Sequence, residues 1–478
     1  MQDLQLYSYR NTCSTLSNSE SFSEEEIHLD KKQSSSTIIF SLANSMIGPT
    51  IIIIPLSIAK IGLLTSVLIA VVICCISLRT CQLTHLHAKL TENEYFSTVK
   101  RIMGKSWMRL YSISSIIILC FASMIYFLSL ADITYSSLKL FFNKVDWPSE
   151  NKIDFSTFSY QYIGIMLMVL IGWLFFIPKL GKILDLTEKG IYSIIIEALF
   201  TIYLGIRAIV QGEAKIVFHT NSIEEEIGLF TSQSLTYTIG VFAMAFTVHN
   251  CIVEIIRKNK KQSNNARDVR YAYLITLFTY IITGTSGALG LYPKISSEPN
   301  TILNNELYNN NETLTFIFLL VTQIMTAFQL ITVLPVINNV VRNQFFFLVF
   351  GEGKNPPKFA FITFNIIFIL SLLVVQIFNI SPSAVMSYGG ALIGFVIIYL
   401  LPVTIHLKSI RAKQIQERQC YTALYGEYGL ESFYNEVDIA KFLREKRRIN
   451  YFFEYLFHGV ILAVGMGILL SQGISLFQ

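Results

Sequence analysis

The sequence predicts an all-α membrane protein with about eleven transmembrane helices. Of its 478 residues, 53% are hydrophobic and only 14% are charged, which is too few charged side chains to cover a soluble protein of this size. Uncharged runs of about twenty residues, enough to span a bilayer as a helix, recur along the chain. The composition therefore excludes a soluble enzyme. The net charge of +5 is too modest to indicate a surface that binds nucleic acid.

The transmembrane core is predicted from apolar segments that are separated by polar loops. These segments lie at residues 36–59, 62–86, 107–140, 160–177, 187–208, 234–256, 269–292, 313–349, 358–379, 384–407 and 451–474. The segments 107–140 and 313–349 are longer than a bilayer requires, so their helices are expected to tilt or protrude. Spans 1–10 form a predicted core over residues 36–408, and residues 451–478 hold the last span and the carboxyl terminus.

Two polar regions flank this core. Residues 1–35 are rich in Ser and contain Glu24-Glu25-Glu26, so they are predicted to be a disordered cytosolic tail that cannot bury a core. Residues 409–450 are predicted to be a cytosolic insert. The cysteines predict neither disulfides nor a metal site, because Cys74 and Cys75 point to different helix faces and no His lies at ligand spacing. No resident cofactor is expected.

Lysine and arginine residues indicate which loops face the cytosol. They are concentrated at residues 100–105, 257–270 and 446–448, all on the side of the amino terminus, whereas the loops 210–233 and 293–312 carry few of them. The amino terminus is therefore predicted to be cytosolic. Asn311 begins an Asn-Glu-Thr sequon on the opposite side, where it is a candidate glycosylation site.

The first span contains the most informative chemistry, a Gly48-Pro49 pair inside an apolar run. Proline removes a backbone hydrogen bond and strains the preceding turn, so the helix is expected to break here. Freed backbone groups are tolerated inside a membrane only where they line a cavity. In such a cavity, half-helix amides can hold a carboxylate and freed carbonyls can hold a cation. The alternative is a proline kink that only shapes packing.

Three sequence blocks carry a resemblance to a known family. They read N-S-M-I-G-P-T-I at Asn44–Ile51, A-F-T-V-H-N-C-I at Ala245–Ile252 with the polar run Asn259–Asp268, and Q-L-I-T-V-L-P at Gln329–Pro335. Together they resemble the sodium-coupled neutral amino acid transporter family, a member of the amino acid/auxin permease group in the APC superfamily. Within that family, the second block is most similar to the lysosomal arginine-sensing branch. The resemblance covers residues 36–408 and the last span.

The resemblance implies a LeuT-like fold with a coupling-ion site. Spans 1–5 and spans 6–10 would form two inverted repeats, with helices 1 and 6 broken at mid-membrane. The family's sodium ligands correspond to Asn44 and Thr332, with carbonyls near Ala43 and Met46. Neutral oxygen donors of this kind suit Na⁺, so the resemblance implies sodium or proton coupling.

The resemblance also implies a substrate site at the same helix break. The backbone of an amino acid substrate would contact Ser45, Met46, Gly48 and Thr50. Pro49 departs from the family pattern, because it replaces a small hydroxyl residue and removes one amide that could meet the substrate carboxylate.

Polar residues in other spans are further candidates. Glu197 is the only acidic residue in the middle of span 5, and a carboxylate at that depth is costly. It is a candidate proton site or counter-charge for a cationic substrate, the alternative being a protonated Glu bonded to a neighbouring helix. Asp132 is interpreted as structural and within reach of the membrane interface. His249 and Asn250 are assigned gating or packing roles, and Tyr126 either lines the cavity or packs.

Two functions of different classes remain. The first is a secondary amino acid transporter that works by alternating access, in an endolysosomal or vacuolar membrane if the resemblance extends to location. The second is an amino acid sensor with slow transport, read by a cytosolic signalling partner through the amino-terminal tail. A channel or membrane enzyme is disfavoured, because no selectivity-filter, nucleophile-elbow or phosphate-loop pattern occurs. The expected partners are the amino acid substrate and membrane lipids, without nucleic acid.

Overall fold

The computed structural model describes residues 32–89, 95–142, 158–177, 189–212, 233–291, 301–304, 313–351, 356–427 and 434–475. Secondary structure in these residues is helical throughout, apart from one isolated β-bridge between Gln33 and Asn259. The expected all-α class is therefore confirmed for the described part of the chain. Residues 1–31 of the predicted tail and the candidate glycosylation site Asn311 lie outside the described residues.

The α-helices are numbered here in chain order. They are α1 Ser35–Ile47, α2 Ile54–Ile61, α3 Leu63–His87, α4 Tyr95–Met103, α5 Lys105–Phe141, α6 Tyr160–Ile171, α7 Ile191–Val210, α8 Gln233–Ala245, α9 Ile252–Arg257, α10 Asn265–Leu291, α11 Thr313–Phe350, α12 Lys358–Ile377, α13 Pro382–Tyr388, α14 Leu401–Glu427 and α15 Tyr434–Ser475. Short 3₁₀ or π-helical stretches extend several of them.

Within the described residues, nine helical segments are long and apolar enough to cross a membrane. They are Ser35–Ile52, Leu63–His87, Lys105–Lys139, Ile191–Val210, Gln262–Leu291, Thr313–Phe350, Lys358–Ile377, Pro382–Gln416 and Tyr451–Ile474. Two shorter apolar helices, Tyr160–Phe176 and Leu235–Ala245, lie where the sequence predicts the fourth and sixth spans. The chain is thus a multi-pass membrane protein, and every predicted span coincides with an apolar helix.

Helices α5 and α11 have 37 and 38 residues. At 1.5 Å per residue each is about 55 Å long, well beyond the roughly 30 Å hydrocarbon core. The two helices pack against each other. They must therefore tilt or extend past the membrane, as their sequence lengths predict.

Helix α10 packs against α1, α2, α3 and α7. Its close contact with α2 depends on two glycines. A Cβ atom on Gly284 would lie 2.5 Å from Ile58 Cδ1, and one on Gly287 would lie 2.8 Å from Pro55 Cβ. Small residues of this kind allow the backbones of membrane helices to approach closely. The helix broken at Gly48 is therefore held firmly against α10.

Helix α8 makes an equally close contact with α13 and the π-helical stretch that follows it. A Cβ atom on Gly240 would clash with the Ser387 carbonyl oxygen, and one on Gly390 would clash with the Gly240 carbonyl oxygen. Both obstacles are backbone atoms, which cannot move aside as the end of a side chain can. This backbone contact fixes the position of α8 just before the chain leaves helical geometry.

A polar connection joins the start of α1 to the segment between α9 and α10. The Gln33 amide donates to the Lys258 carbonyl at 2.7 Å, and the Lys260 amide donates to the Gln33 carbonyl at 2.9 Å. The buried Asn259 side chain donates to Asp268 Oδ2 at 2.8 Å. The first described residues and the basic segment 257–270 therefore lie at the same end of the bundle.

The predicted insert at 409–450 divides between two helices. Its described residues continue α14 to Glu427 and begin α15 at Tyr434. The last span therefore belongs to a helix that starts well before the membrane segment Tyr451–Ile474.

Candidate functional site

The first helix is interrupted where Gly48-Pro49 predicts a break. Helix α1 ends at Ile47, and Gly48 has a φ of +34° and a ψ of −142°, a conformation that favours glycine. A 3₁₀ stretch from Gly48 to Ile52 follows, and α2 then begins at Ile54. The freed Ile52 carbonyl accepts a hydrogen bond from the Ile302 amide at 3.1 Å. The interruption is thus a change of backbone conformation, and one of its freed carbonyls has a hydrogen-bond partner elsewhere in the chain.

Tyr126 on α5 closes one side of this break. A Cβ atom built on Gly48 would lie only 2.6 Å from the Tyr126 hydroxyl oxygen, so the hydroxyl sits directly against the Gly48 backbone.

A second interruption separates α8 from α9. Helix α8 ends at Ala245 and α9 begins at Ile252. The freed carbonyl of Phe246 accepts from Ser77 Oγ at 2.8 Å and from Tyr273 Oη at 3.1 Å. His249 is completely buried, with its Nε2 atom 3.0 Å from Thr80 Oγ1. The His249 side chain therefore fastens the interruption to α3, in line with a packing role.

One hydroxyl group joins the two interruptions. Tyr280 Oη on α10 lies 2.7 Å from the Met46 carbonyl oxygen and 3.1 Å from the Ala245 carbonyl oxygen. Both carbonyls belong to the last turn of a helix that stops inside the protein, where carbonyl groups have lost their helical partners. Because Tyr280 is fully buried, its single hydroxyl proton is shared between the two helix ends.

The predicted substrate residues occupy the first interruption. Met46, Gly48 and Thr50 are buried there. Ser45 differs, because its side chain is exposed and its hydroxyl donates back to the Ser41 carbonyl at 2.8 Å. The interruption therefore presents mainly backbone groups to its surroundings, together with the Thr50 hydroxyl.

The predicted ion ligands lie on two helices. Asn44 is in the last turn of α1, and its Oδ1 atom is buried without a hydrogen-bond partner in the part of the chain that is described. Ala43 is buried beside it. Thr332 is buried on α11, where its hydroxyl donates to the Gln329 carbonyl at 2.9 Å. An unpartnered amide oxygen is the kind of neutral donor that a cation of the Na⁺ type requires.

Glu197 lies inside the bundle, on α7, with 2% of its surface exposed. Its Oε1 atom accepts hydrogen bonds from Ser193 at 3.1 Å and from Thr326 on α11 at 2.5 Å. Its Oε2 atom is buried and has no hydrogen-bond partner among the described residues. One carboxyl oxygen is thus satisfied and the other is available for a proton.

Comparison with known proteins agrees with this architecture. The model of the family described as transmembrane amino acid transporter protein matches residues 31–424. The chain belongs to this family.

Similar proteins carry related names. Neutral amino acid transporter 9 of Rattus norvegicus is 24% identical over 433 residues, which cover 79% of this chain and 74% of that protein. Neutral amino acid transporter 9 of Danio rerio is 31% identical over 180 residues, 36% of this chain and 31% of that protein. The sodium-coupled neutral amino acid transporter 9 homolog of Caenorhabditis elegans is 27% identical over 173 residues, 36% of this chain and 27% of that protein. The resemblance found in the sequence blocks is therefore confirmed.

Several hydrogen-bond partners in the candidate site are not visible in the sequence motifs. Tyr273 and Tyr280 lie seven residues apart on one face of α10, and that spacing is the signal that could have drawn attention to them. Ser77 and Thr326 give no such signal, because each acts on a residue far away in the chain. Asp132, interpreted from the sequence as structural, is buried with 2% of its surface exposed. It lies on α5, among the helices of the bundle.

Proposed function

We propose that this chain is a secondary active amino acid transporter that works by alternating access. The observation that carries the proposal is the pair of interrupted helices whose freed carbonyls share the Tyr280 hydroxyl. Broken helices near the middle of a membrane are the usual setting for a small charged substrate and its coupling ion. Membership of an amino acid transporter family supplies the substrate class and favours a carrier over an enzyme.

In this proposal the fold is LeuT-like and has eleven spans. The segment from α1 to α2 is its first helix, and the segment from α8 to α9 is its sixth. Spans 1–5 and 6–10 form the inverted repeats, and the shorter helices Tyr160–Phe176 and Leu235–Ala245 count as the fourth and sixth spans. The amino terminus is cytosolic, as the distribution of basic residues predicts. The membrane is endolysosomal or vacuolar, as the similarity to the lysosomal branch suggests.

The amino acid substrate lies at the first interruption. Its backbone contacts Ser45, Met46, Gly48 and Thr50, while Asn44 and Thr332 supply side-chain oxygens to Na⁺. The unpartnered Asn44 Oδ1 atom supports this assignment. Uptake of radiolabelled amino acids into proteoliposomes, with and without a Na⁺ or pH gradient, tests the function. If the protein binds an amino acid but takes none up, the proposed transporter function would be wrong and the sensor function would take its place.

The sensor remains the second candidate because of the contact between the amino-terminal segment and the core. The Gln33 backbone is hydrogen-bonded to Lys258 and Lys260. A partner that binds the tail could therefore change the position of the segment between α9 and α10 through these bonds. The signalling partner would bind residues 1–35. Removing residues 1–31 should abolish capture of such a partner and leave uptake unchanged, whereas unchanged capture would contradict the sensor.

Removing the proposed ion ligands should weaken sodium dependence specifically. Asn44→Ala and Thr332→Ala each remove one neutral oxygen, so the Na⁺ concentration for half-maximal uptake is expected to rise about tenfold, equivalent to about 1.4 kcal/mol. The matched control is Thr279→Ala, since the Thr279 hydroxyl donates to the Ile275 carbonyl of its own helix, as the Thr332 hydroxyl donates to the Gln329 carbonyl. If the sodium dependence of uptake is equal in all three variants and in the unaltered protein, the proposed ion site is wrong.

Replacing Glu197 tests whether it carries a proton or balances a cationic substrate. Glu197→Gln keeps the shape and one acceptor oxygen for Ser193 and Thr326, but it cannot release a proton. For a proton site, the stimulation of uptake by a pH gradient should disappear for every substrate. For a counter-charge, uptake of arginine and lysine should fall while uptake of neutral amino acids persists. Glu254→Gln, at an exposed position on α9, is the control, and an unchanged profile for Glu197→Gln would make the carboxyl structural.

A further inference from the structure

A cluster of three histidines and one glutamate lies away from the interrupted helices, where α3, α14 and α15 meet. His87 ends α3, His406 lies on α14, and Glu454 and His458 lie one turn apart on α15. Glu454 Oε2 is 3.5 Å from His406 Nε2 and 3.2 Å from His458 Nδ1. The cluster therefore joins α3 to α14 and α15, which lie more than 300 residues later in the chain.

His406 and His458 each have one engaged ring nitrogen and one ring nitrogen without a hydrogen-bond partner in the described residues. His458 Nδ1 lies 2.7 Å from the Glu454 carbonyl oxygen, to which it donates in the neutral ring. His406 Nδ1 lies 3.0 Å from His87 Nε2, and donation along this contact leaves a lone pair on His406 Nε2. The atoms that remain buried without a hydrogen-bond partner in the described residues are His406 Nε2, His458 Nε2 and Glu454 Oε2. All three are electron-pair donors.

This arrangement matches what a metal requires from its ligands. Histidines that bind a metal almost always donate their second ring N–H to a carbonyl, a carboxylate or water, which orients the ring and fixes the tautomer. Here the Glu454 carbonyl and His87 supply those second contacts. His458 is fully buried and His406 is 7% exposed, so both rings are shielded from solvent.

We propose that His406, His458 and Glu454 form a binding site for a first-row divalent transition metal, with Zn²⁺ as the best match. One ligand atom from each residue lies within 4.8 Å of the other two. Tetrahedral Zn²⁺ with ligand bonds of about 2.0–2.1 Å places its donors about 3.3 Å apart. The His458 nitrogen that lies 3.2 Å from Glu454 Oε2 is Nδ1, which donates to the Glu454 carbonyl. The His458 side chain must therefore rotate to present Nε2 to the metal, and water completes a two-histidine, one-carboxylate set.

Arg79 is the group that opposes metal binding. Its guanidinium lies 3.6 Å from Glu454 Oε2, so the same carboxylate can form an ion pair with Arg79 in place of binding a metal. Both side chains are partly exposed, at 35% and 42%, and exposed ion pairs of this kind contribute little free energy. A metal ion can therefore displace Arg79 at small cost.

The site would fasten α15 to the rest of the protein. Most of the span Tyr451–Ile474 is not buried against the rest of the protein, and large apolar side chains such as Phe452, Phe453 and Leu456 are exposed. The helix thus has a limited packed interface with the bundle. A metal bridge from α15 to α14 would add a contact that does not depend on lipid.

Metal binding can be measured on the full-length protein in detergent after treatment with a chelator. Co²⁺ is the spectroscopic probe, because tetrahedral nitrogen and oxygen ligation gives visible absorption bands, and Zn²⁺ is then added in competition. The unaltered protein should bind one equivalent and melt at a higher temperature with Zn²⁺. His406→Gln and His458→Gln should weaken binding at least 100-fold. His87→Ala should weaken it about 10- to 100-fold, as expected for a partner of a ligand.

His85→Gln is the matched control, because it removes a histidine near the same end of α3 and should leave binding unchanged. If His458→Gln fails to fold, Glu454→Gln decides, since it keeps the size of the side chain and removes only the charged ligand. If the Co²⁺ absorption bands persist in Glu454→Gln, or if His85→Gln loses as much metal binding as the ligand variants, the metal is bound by other groups and the proposal is overturned. Failure of the unaltered protein to bind one equivalent at micromolar concentration would overturn it as well.

Discussion

Replacing Gly48 with alanine is expected to abolish amino acid uptake. The new Cβ atom would lie 2.6 Å from the Tyr126 hydroxyl oxygen, a distance at which one of the two groups must move. A φ of +34° with a ψ of −142° adds a backbone cost of about 1–3 kcal/mol for any residue with a side chain. Because the break holds the proposed substrate contacts, both effects act directly on the site. Uptake into proteoliposomes should fall at least 30-fold, equivalent to about 2 kcal/mol.

A second substitution separates the steric effect from the backbone effect. Tyr126→Phe removes the hydroxyl oxygen, after which the nearest Tyr126 atom to the new methyl group is Cζ at 3.4 Å. The double variant should therefore recover part of the uptake that Gly48→Ala loses. Gly104→Ala is the control for backbone cost alone, since Gly104 has a φ of +97° and open space around its Cα atom. Equal loss with and without the Tyr126 hydroxyl would contradict the steric account.

The two interruptions differ in how far the sequence predicts them. The first depends on Gly48 and Pro49, whose backbone preferences act locally, so the break is visible in the sequence. The segment from Phe246 to Cys251 contains neither glycine nor proline, and only the resemblance to a family indicated a break there. The second interruption is stabilised by Ser77, Tyr273 and Tyr280. These side chains lie on other helices and donate hydrogen bonds to the freed carbonyls of Phe246 and Ala245. Tertiary contacts of this kind leave no local pattern in the sequence.

Polar residues inside the membrane illustrate the same limit. Glu197 is identified from the sequence because an acidic residue in an apolar helix is costly. Its partner Thr326, 129 residues away, cannot be identified without the packing of α7 against α11. The four-residue spacing of Glu454 and His458 is visible in the sequence, whereas the approach of His406 is not. Sequence patterns therefore locate candidate residues, and only the fold shows which of them meet.

Replacing Tyr280 with phenylalanine is expected to have the second large effect. The substitution keeps the ring and removes the one hydroxyl that lies against both the Met46 and Ala245 carbonyls. A buried carbonyl left without a donor costs about 1–3 kcal/mol, and here two carbonyls on two different helices lose theirs together. The melting temperature in detergent should fall, and uptake should fall at least tenfold because the two helix ends are no longer held at a common point.

Two other tyrosines on α10 make this prediction specific. Tyr273→Phe removes one donor to the Phe246 carbonyl, but Ser77 still donates to it at 2.8 Å, so the loss should be much smaller. Tyr271→Phe changes an exposed side chain and should have no effect. The expected order of damage is therefore Tyr280→Phe, Tyr273→Phe, Tyr271→Phe. If Tyr273→Phe were as damaging as Tyr280→Phe, the second interruption alone would control uptake. A common hydroxyl between two helix ends would then be unnecessary to explain transport.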